Sequence, residues 1–327
     1  VELTKKLPIA TALVVAGVLA ATTVGPRRAE GVNGVKCAAV ETTIAGTESD
    51  DVLTGTPGDD VIAGLGGNDT IDGAGGDDLL CGDDGNDVLS GGAGEDVMIG
   101  GNGDDRHDGG PGRFDVASYY FAPGPVSVNM FSATGTGAWG NDTLAAVESI
   151  EGSNFADTLL GDAGRNIIRG ADGADTIIGG PGSDVLLGQE GDDTIDGGSG
   201  TDAVRFDESA NPVIVRLAAR RARGEGSDRL RSIEIVIGSP FADTLIGDAQ
   251  SNFLAGERGD DTVVGGGGDD LLEGGPGRDR LDGGAGADDL DGGAGNDRLA
   301  GGPGRDRLVG GPGRDDCVEG ERLRTCP

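Results

Sequence analysis

The chain has 327 residues, of which 67 are glycine and only 3% are aromatic, too few large apolar side chains for a conventional globular core of that length. The formal net charge is -33, from 58 acidic and 25 basic residues, which argues against nucleic acid as a partner because both would be polyanions. Such a chain either stays disordered or folds once something cationic neutralises its acids.

At the N-terminus, Lys5 and Lys6 precede an apolar run from Leu7 to Ala21, and Val18-Leu19-Ala20 offers small residues for cleavage. A basic start, a short apolar stretch and a small-residue site form the pattern of a secretory signal peptide, expected over residues 1–30. The run is short for a bilayer span, Pro8 interrupts it, and Thr22 and Thr23 end it. No stable membrane span is expected after cleavage. Four cysteines, Cys37, Cys81, Cys317 and Cys326, suit an oxidising destination. Four allow three connectivities, and their positions suggest Cys37–Cys81 and Cys317–Cys326, one bridge at each end.

From Gly46 onward a nine-residue period takes over. From Gly73 the chain reads GAGGDDLLC, GDDGNDVLS, GGAGEDVMI; from Gly170, GADGADTII, GGPGSDVLL, GQEGDDTID; from Gly256, GERGDDTVV, GGGGDDLLE, GGPGRDRLD. The consensus is G-G-x-G-x-D-x-U-x, with U aliphatic. Block 1 with an N-terminal cap covers 31–117, block 2 covers 152–205, block 3 covers 238–318, and a disulfide-tied cap is expected over 319–327. Residues 118–151 and 206–237 interrupt the period. The two interruptions resemble each other: Val126-Ser127-Val128-Asn129-Met130 matches Val213-Ile214-Val215-Arg216-Leu217, and both lead into GSxFADTLxGDA, at Gly152 and Gly238. Their alternation reads as a strand or hairpin that extends the repeat structure. A recognition surface around Tyr119, Tyr120, Phe121 and Trp139 is the weaker alternative.

Within each repeat the first six residues must turn, and glycines at positions 1, 2 and 4 permit it. The last three form a short strand with position 8 inward and positions 7 and 9 outward. One inward aliphatic per nine residues is a thin core against a backbone entropy of about 1–2 kcal/mol per residue. Position 6 is acidic almost throughout. It is Asp60, Asp69, Asp78, Asp87, Asp96 and Asp105 in block 1; Asp157, Asp175, Asp184, Asp193 and Asp202 in block 2; and Asp243, Asp261, Asp270, Asp279, Asp288, Asp297, Asp306 and Asp315 in block 3. If two nonapeptides close one coil, these aspartates stack in two rows of like charge, which repel unless a cation lies between them. Hard oxygen ligands in flexible loops select Ca²⁺ over transition metals and over Mg²⁺. Asn166 and Asn252 bring no charge to position 6, Phe114 displaces Asp115 by one place, and His107 falls at the inward position 8.

The pattern resembles the RTX (haemolysin-type) calcium-binding nonapeptide-repeat family. The resemblance implies an all-β, right-handed parallel β-roll or β-solenoid, here in three repeat blocks with two inserted β segments. It also implies multiple Ca²⁺ ions between successive turns, held by the position-6 aspartates and backbone carbonyls. A secreted protein that folds on binding Ca²⁺ is therefore expected, acting outside the cell as a structural or interaction module in adhesion or matrix, with cell-surface or matrix components as partners. HExxH and GxSxG are missing and His107 is the single histidine, so no enzyme is expected. Residue type leaves a carboxylate-pair hydrolase open, although material for an aromatic-lined cleft is scant. The alternative function is the repeat portion of a secreted toxin or hydrolase whose activity is not visible in the sequence.

Overall fold

Three-residue segments such as Val-Leu-Ser and Thr-Ile-Asp favour extended backbone, and the Gly-Asp turns on either side limit their length. In the computed structural model they form strands of mostly three residues, and no helix occurs among the described residues. The structure describes residues 42–318 and the backbone of Arg322–Leu323. The expected signal segment, Cys37, Cys326 and most of the 319–327 cap lie outside the described residues. Neither Cys81 nor Cys317 is a free thiol.

The described residues divide into two compact units, 42–118 with Gly140–Glu148, and Tyr119–Trp139 with the described residues from Ser149 onward. In the first, Ile44–Ala45, Val61–Ala63, Leu79–Asp84, Val97–Asn102 and Val116–Ser118 stack as one parallel sheet. Val52–Thr54, Thr70–Asp72, Val88–Ser90, Arg106–Asp108 and Asn141–Ala145 stack as the other. Alternate nonapeptides therefore go to opposite sheets. The register is 18 residues, two repeats per coil, as in Ile44↔Ile62 and Leu53↔Ile71.

The second unit follows the same plan. One sheet runs from Ser149–Glu151 through Ile167–Arg169, Val185–Leu187, Ala203–Arg205, Ile235–Ile237 and Phe253–Ala255 to Arg307–Val309. On the other side, Val126–Asn129, Thr158–Leu160, Thr176–Gly182, Thr194–Gly200 and Ser227–Arg231 pair in parallel. So do Ile214–Arg216, Thr244–Ile246, Thr262–Gly267, Arg280–Ala285, Arg298–Ala300 and Asp316–Val318. Each unit is thus an all-β parallel solenoid over its described residues, as the nine-residue period requires.

The two interruptions supply the only antiparallel pairings among the described residues. Val126–Asn129 pairs with Thr134–Gly137, and Arg221–Arg223 pairs with both Ile214–Arg216 and Ser227–Arg231. Each interruption therefore contains a hairpin whose first strand also joins the parallel ladder. The remainder of each segment returns to solenoid register, at Thr143↔Arg106 and at Ile235↔Phe253. Of the aromatic cluster, Tyr119 is buried and Tyr120 packs edge-on against Phe121 at 5.1 Å.

Position 8 forms the core. Ile62, Ile71, Leu80, Leu89, Met98, Leu186 and Leu290 have no exposed surface, and neither does His107, which stands in register with Leu89 and Leu144. Burial holds the His107 imidazole neutral, pushing its pKa down to about 4. Outward positions are mostly exposed or half-buried, Val52 being 81% exposed. The second unit departs from this expectation: Val185, Leu187, Ala203, Ile235, Ile237, Phe253 and Ala255 point away from the core and are buried as well. On that stretch the outer face of the sheet is largely apolar and buried, with Arg205 on it paired to Asp207.

Leu186 sits between Ile168 and Val204 in the inward ladder. Leu186→Ala should cost roughly 2–5 kcal/mol in denaturant unfolding. Thr194→Ala, at an outward position, should change stability by no more than about 0.5 kcal/mol.

Candidate metal centre

The turns present the position-6 side chains inward, and hydrogen bonds tie them together along each side of the roll. From Asp69 onward, the Oδ1 atom of each expected aspartate accepts the backbone N–H of the residue in the position-6 place one coil earlier. Asp60 N–H donates to Asp78 at 2.8 Å, Asp69 to Asp87 at 2.7 Å, Asp175 to Asp193 at 2.9 Å and Asp279 to Asp297 at 2.9 Å. Every expected site residue described lies in one of these two rows. All but Asp315 are buried outright.

The rows also hold residues outside the expected set. Asp51 donates its N–H to Asp69. Asp115 accepts from Asp96 at 2.9 Å across 19 residues, because one extra residue in the Arg113-Phe114 turn is accommodated without breaking the row. Asp142 accepts from Asp105 and Asp228 from Asp193. Both sit in truncated repeats, GNDTLA at 140–145 and GSDRLR at 226–231, so the signal was present as G-x-D-x-U-x. Glu148 and Glu234 take the slot after each hairpin, accepting from Asp115 and Asp202. Val126 and Val213 stand at the position-6 place of the hairpin strands and leave it without a carboxylate, donating their N–H to Asp157 and Asp243.

A second ladder, not foreseen from sequence, runs along position 5 with opposite polarity. Asp50, Asn68 and Asn86 accept the N–H of the position-5 residue one coil later. These bonds are exposed and tie the turns together from outside.

The second carboxylate oxygen decides the chemistry. Among the described residues, seventeen position-6 aspartates have a buried Oδ2 with no hydrogen-bond partner, among them Asp69, Asp96, Asp175, Asp270 and Asp306. A buried, bare carboxylate oxygen is costly. In most of these turns it lies over the position-1 glycine of its own repeat, next to a backbone carbonyl from the following coil. An added Cβ at Gly73 would sit 2.3 Å from Asp78 Oδ2 and 2.5 Å from Gly91 O; at Gly274 it would sit 2.7 Å from Asp279 Oδ2 and 2.6 Å from Gly292 O. This glycine is required because the carboxylate and the carbonyl share the space that a side chain would take.

Burial, reinforced by neighbouring carboxylates, pushes many of the row's carboxyls upward. Asp78, Asp105, Asp115, Asp202, Asp261 and Asp270 rise to about 7, and Asp175 to about 8. Desolvation is the largest cause in every case. Hydrogen bonds from the backbone of the preceding coil oppose it without overcoming it.

Bare anionic oxygens beside carbonyl oxygens suit a hard divalent cation, and the donor set is all oxygen, as Ca²⁺ prefers. Among the described residues no three acidic, imidazole or thiol side chains converge on one point. The carboxylates are strung one per turn, so each ion would complete its shell from backbone carbonyls. The chain's own contribution is to hold the oxygens in place, exclude water from one side, and surrender protons from the raised carboxyls when a cation arrives.

A family model described as the RTX calcium-binding nonapeptide repeat (four copies) matches residues 45–80, 82–113, 151–186, 170–204, 237–272, 264–299 and 291–318, more than half of the chain. No curated protein matches it.

Because folding raises these pKa values, the cation-free fold keeps protons that the unfolded chain, with aspartates near 3.9, has already lost. The stability this contributes is complete below about pH 4 and is lost as pH rises through about 6–8. In chelator, β-sheet circular dichroism should be stronger at pH 5.5 than at pH 8. An equal or weaker signal at pH 5.5 would contradict this account of the row.

Proposed function

The chain belongs to the RTX calcium-binding nonapeptide-repeat family, and from that premise we propose that it is a secreted protein whose folding is completed by Ca²⁺, serving outside the cell as a structural or interaction module. The observation that carries this reading is the two rows of position-6 carboxylates, seventeen of which have a buried, bare oxygen. At neutral pH such a row is self-repelling, and its neutralisation supplies the stabilisation that one inward aliphatic per repeat lacks. Binding energy is thereby converted into folding energy. Weak sites, with dissociation constants of about 10⁻⁴–10⁻³ M, suffice in a calcium-rich exterior.

Export is supported by the N-terminal basic-apolar pattern and by the four cysteines, read as Cys37–Cys81 and Cys317–Cys326 closing the two ends. Open solenoid ends need such closure, because an exposed sheet edge templates aggregation. The role is a non-catalytic one. The single histidine is buried in the core and held neutral, and the acids are committed to the turns. Cell-surface or matrix components are the partners that this reading favours, with adhesion or matrix building as the setting.

Circular dichroism of the chain in chelator, titrated with calcium and with magnesium as control, tests the folding claim. A cooperative gain of β signal with calcium alone is expected. A signal unchanged up to millimolar calcium would remove the claim.

A further inference from the structure

Apart from the truncated repeats and the hairpins, the position-6 rows contain two kinds of turn, and the residue at position 2 separates them. In the seventeen turns with a bare Oδ2, position 2 is left-handed. Glycine serves at Gly101 (φ 102°), Gly180 (φ 105°) and Gly275 (φ 100°), but Leu65 (φ 80°), Ala171 (φ 73°) and Glu257 (φ 70°) adopt the same conformation. Non-glycine residues enter that region uncommonly, so the turn imposes it. With position 2 so placed, no bond from its N–H reaches the carboxylate, and Oδ2 stays bare.

Six turns behave otherwise: those led by Thr47, Thr56, Ser153, Asp162, Ser239 and Asp248. None of the six is left-handed. In each, the position-2 side-chain oxygen accepts the N–H of position 4, as from Gly58 to Thr56, Phe155 to Ser153 and Gly164 to Asp162. This is a local side-chain turn, and it holds position 2 out of the left-handed region. The position-2 N–H then points at the position-6 oxygen. Ser153 N–H donates to Asp157 Oδ2 at 2.5 Å, Ser239 to Asp243 Oδ2 at 2.5 Å and Thr56 to Asp60 Oδ2 at 2.6 Å. Asp162 and Asp248 donate likewise to Oδ1 of Asn166 and Asn252. Where position 2 is Ser or Thr, the hydroxyl donates to the same carboxylate, at 2.8 Å from Ser153 and 2.7 Å from Ser239.

We propose that these six turns are closed to calcium at their position-6 side chain, and that position 2 selects between a closed, self-satisfied turn and an open, ion-binding one. The inference rests on the calcium-binding reading above. It removes Asp60, Asp157 and Asp243 from the set of calcium ligands and places Asp115 within it. Asp83 marks the limit of the rule. It is short and polar at position 2, yet left-handed (φ 71°), and Asp87 Oδ2 is bare. Aspartate at position 2 closes the turn where position 6 is Asn166 or Asn252, because a carboxylate at both places would repel.

The closed turns come in consecutive pairs, over 46–63, 152–169 and 238–255, at the start of each repeat block. Two nonapeptides make one coil, so each pair is one whole coil. Every block thus begins with a coil whose turns are satisfied by the chain itself, a preformed platform on which the ion-dependent coils can stack.

Native mass spectrometry of the full chain purified in calcium tests this by counting bound ions. Asp243→Asn, in a closed turn, should leave the count unchanged. Asp279→Asn, in an open turn, should lower it by at least one ion. Ser239→Gly, which removes the closing side chain without touching a carboxylate, should raise it. Equal losses in the two aspartate variants, or no gain in Ser239→Gly, would overturn the position-2 rule while leaving calcium binding intact. A wild-type chain that carries no calcium would overturn the rule together with the reading beneath it.

Discussion

Most nine-residue repeats bury one aliphatic side chain and one carboxylate, and the fold depends on how that carboxylate is satisfied. Half of the answer is internal. Oδ1 receives the N–H of the preceding coil, a bond that also fixes the 18-residue register. The other half is external in most turns, where Oδ2 is buried with no partner on the chain. A solenoid this poor in apolar material therefore stacks a strong, regular hydrogen-bond ladder on a strong, regular electrostatic cost, and the balance between them is set by protons or by cations.

Much of this was legible in the sequence. The nine-residue period specified a solenoid, the aliphatic at position 8 specified the inward face, and Asp at position 6 specified two acidic rows. What escaped were places where structure keeps the register and sequence loses it. Asp115 joins its row because the surplus residue near Phe114 is absorbed in the turn, and a strict count of nine cannot see that. Asp142 and Asp228 belong to half-repeats behind hairpins, and Glu148 and Glu234 do the work of Asp with a longer side chain. The interruptions, read as strands or hairpins that extend the repeat structure, each hold a hairpin joined to the parallel ladder. The buried outer face around Val185, Ile235 and Phe253 was visible only as apolar residues at positions expected to face solvent.

The distinction between open and closed turns was also written in the sequence, at a position read only as a site for glycine. Thr47, Thr56, Ser153 and Ser239 differ from Ala171 or Glu257 in one respect: a short oxygen that can catch the position-4 N–H. That bond moves one backbone dihedral, and the dihedral decides whether the acid is paired within its own turn. The same physics gives the blocks a direction, with self-satisfied coils first and cation-dependent coils after them.

The central claim is that the position-6 ladder is held in place by neutralisation of the carboxylates it buries. Amide hydrogen exchange resolved along the chain at neutral pH, in saturating calcium and in chelator, tests this most directly. The account predicts strong protection of the position-6 amides in calcium and its loss in chelator, first in coils with bare carboxylate oxygens. Equal protection in both conditions would show that the solenoid stands without a cation, and would contradict the account.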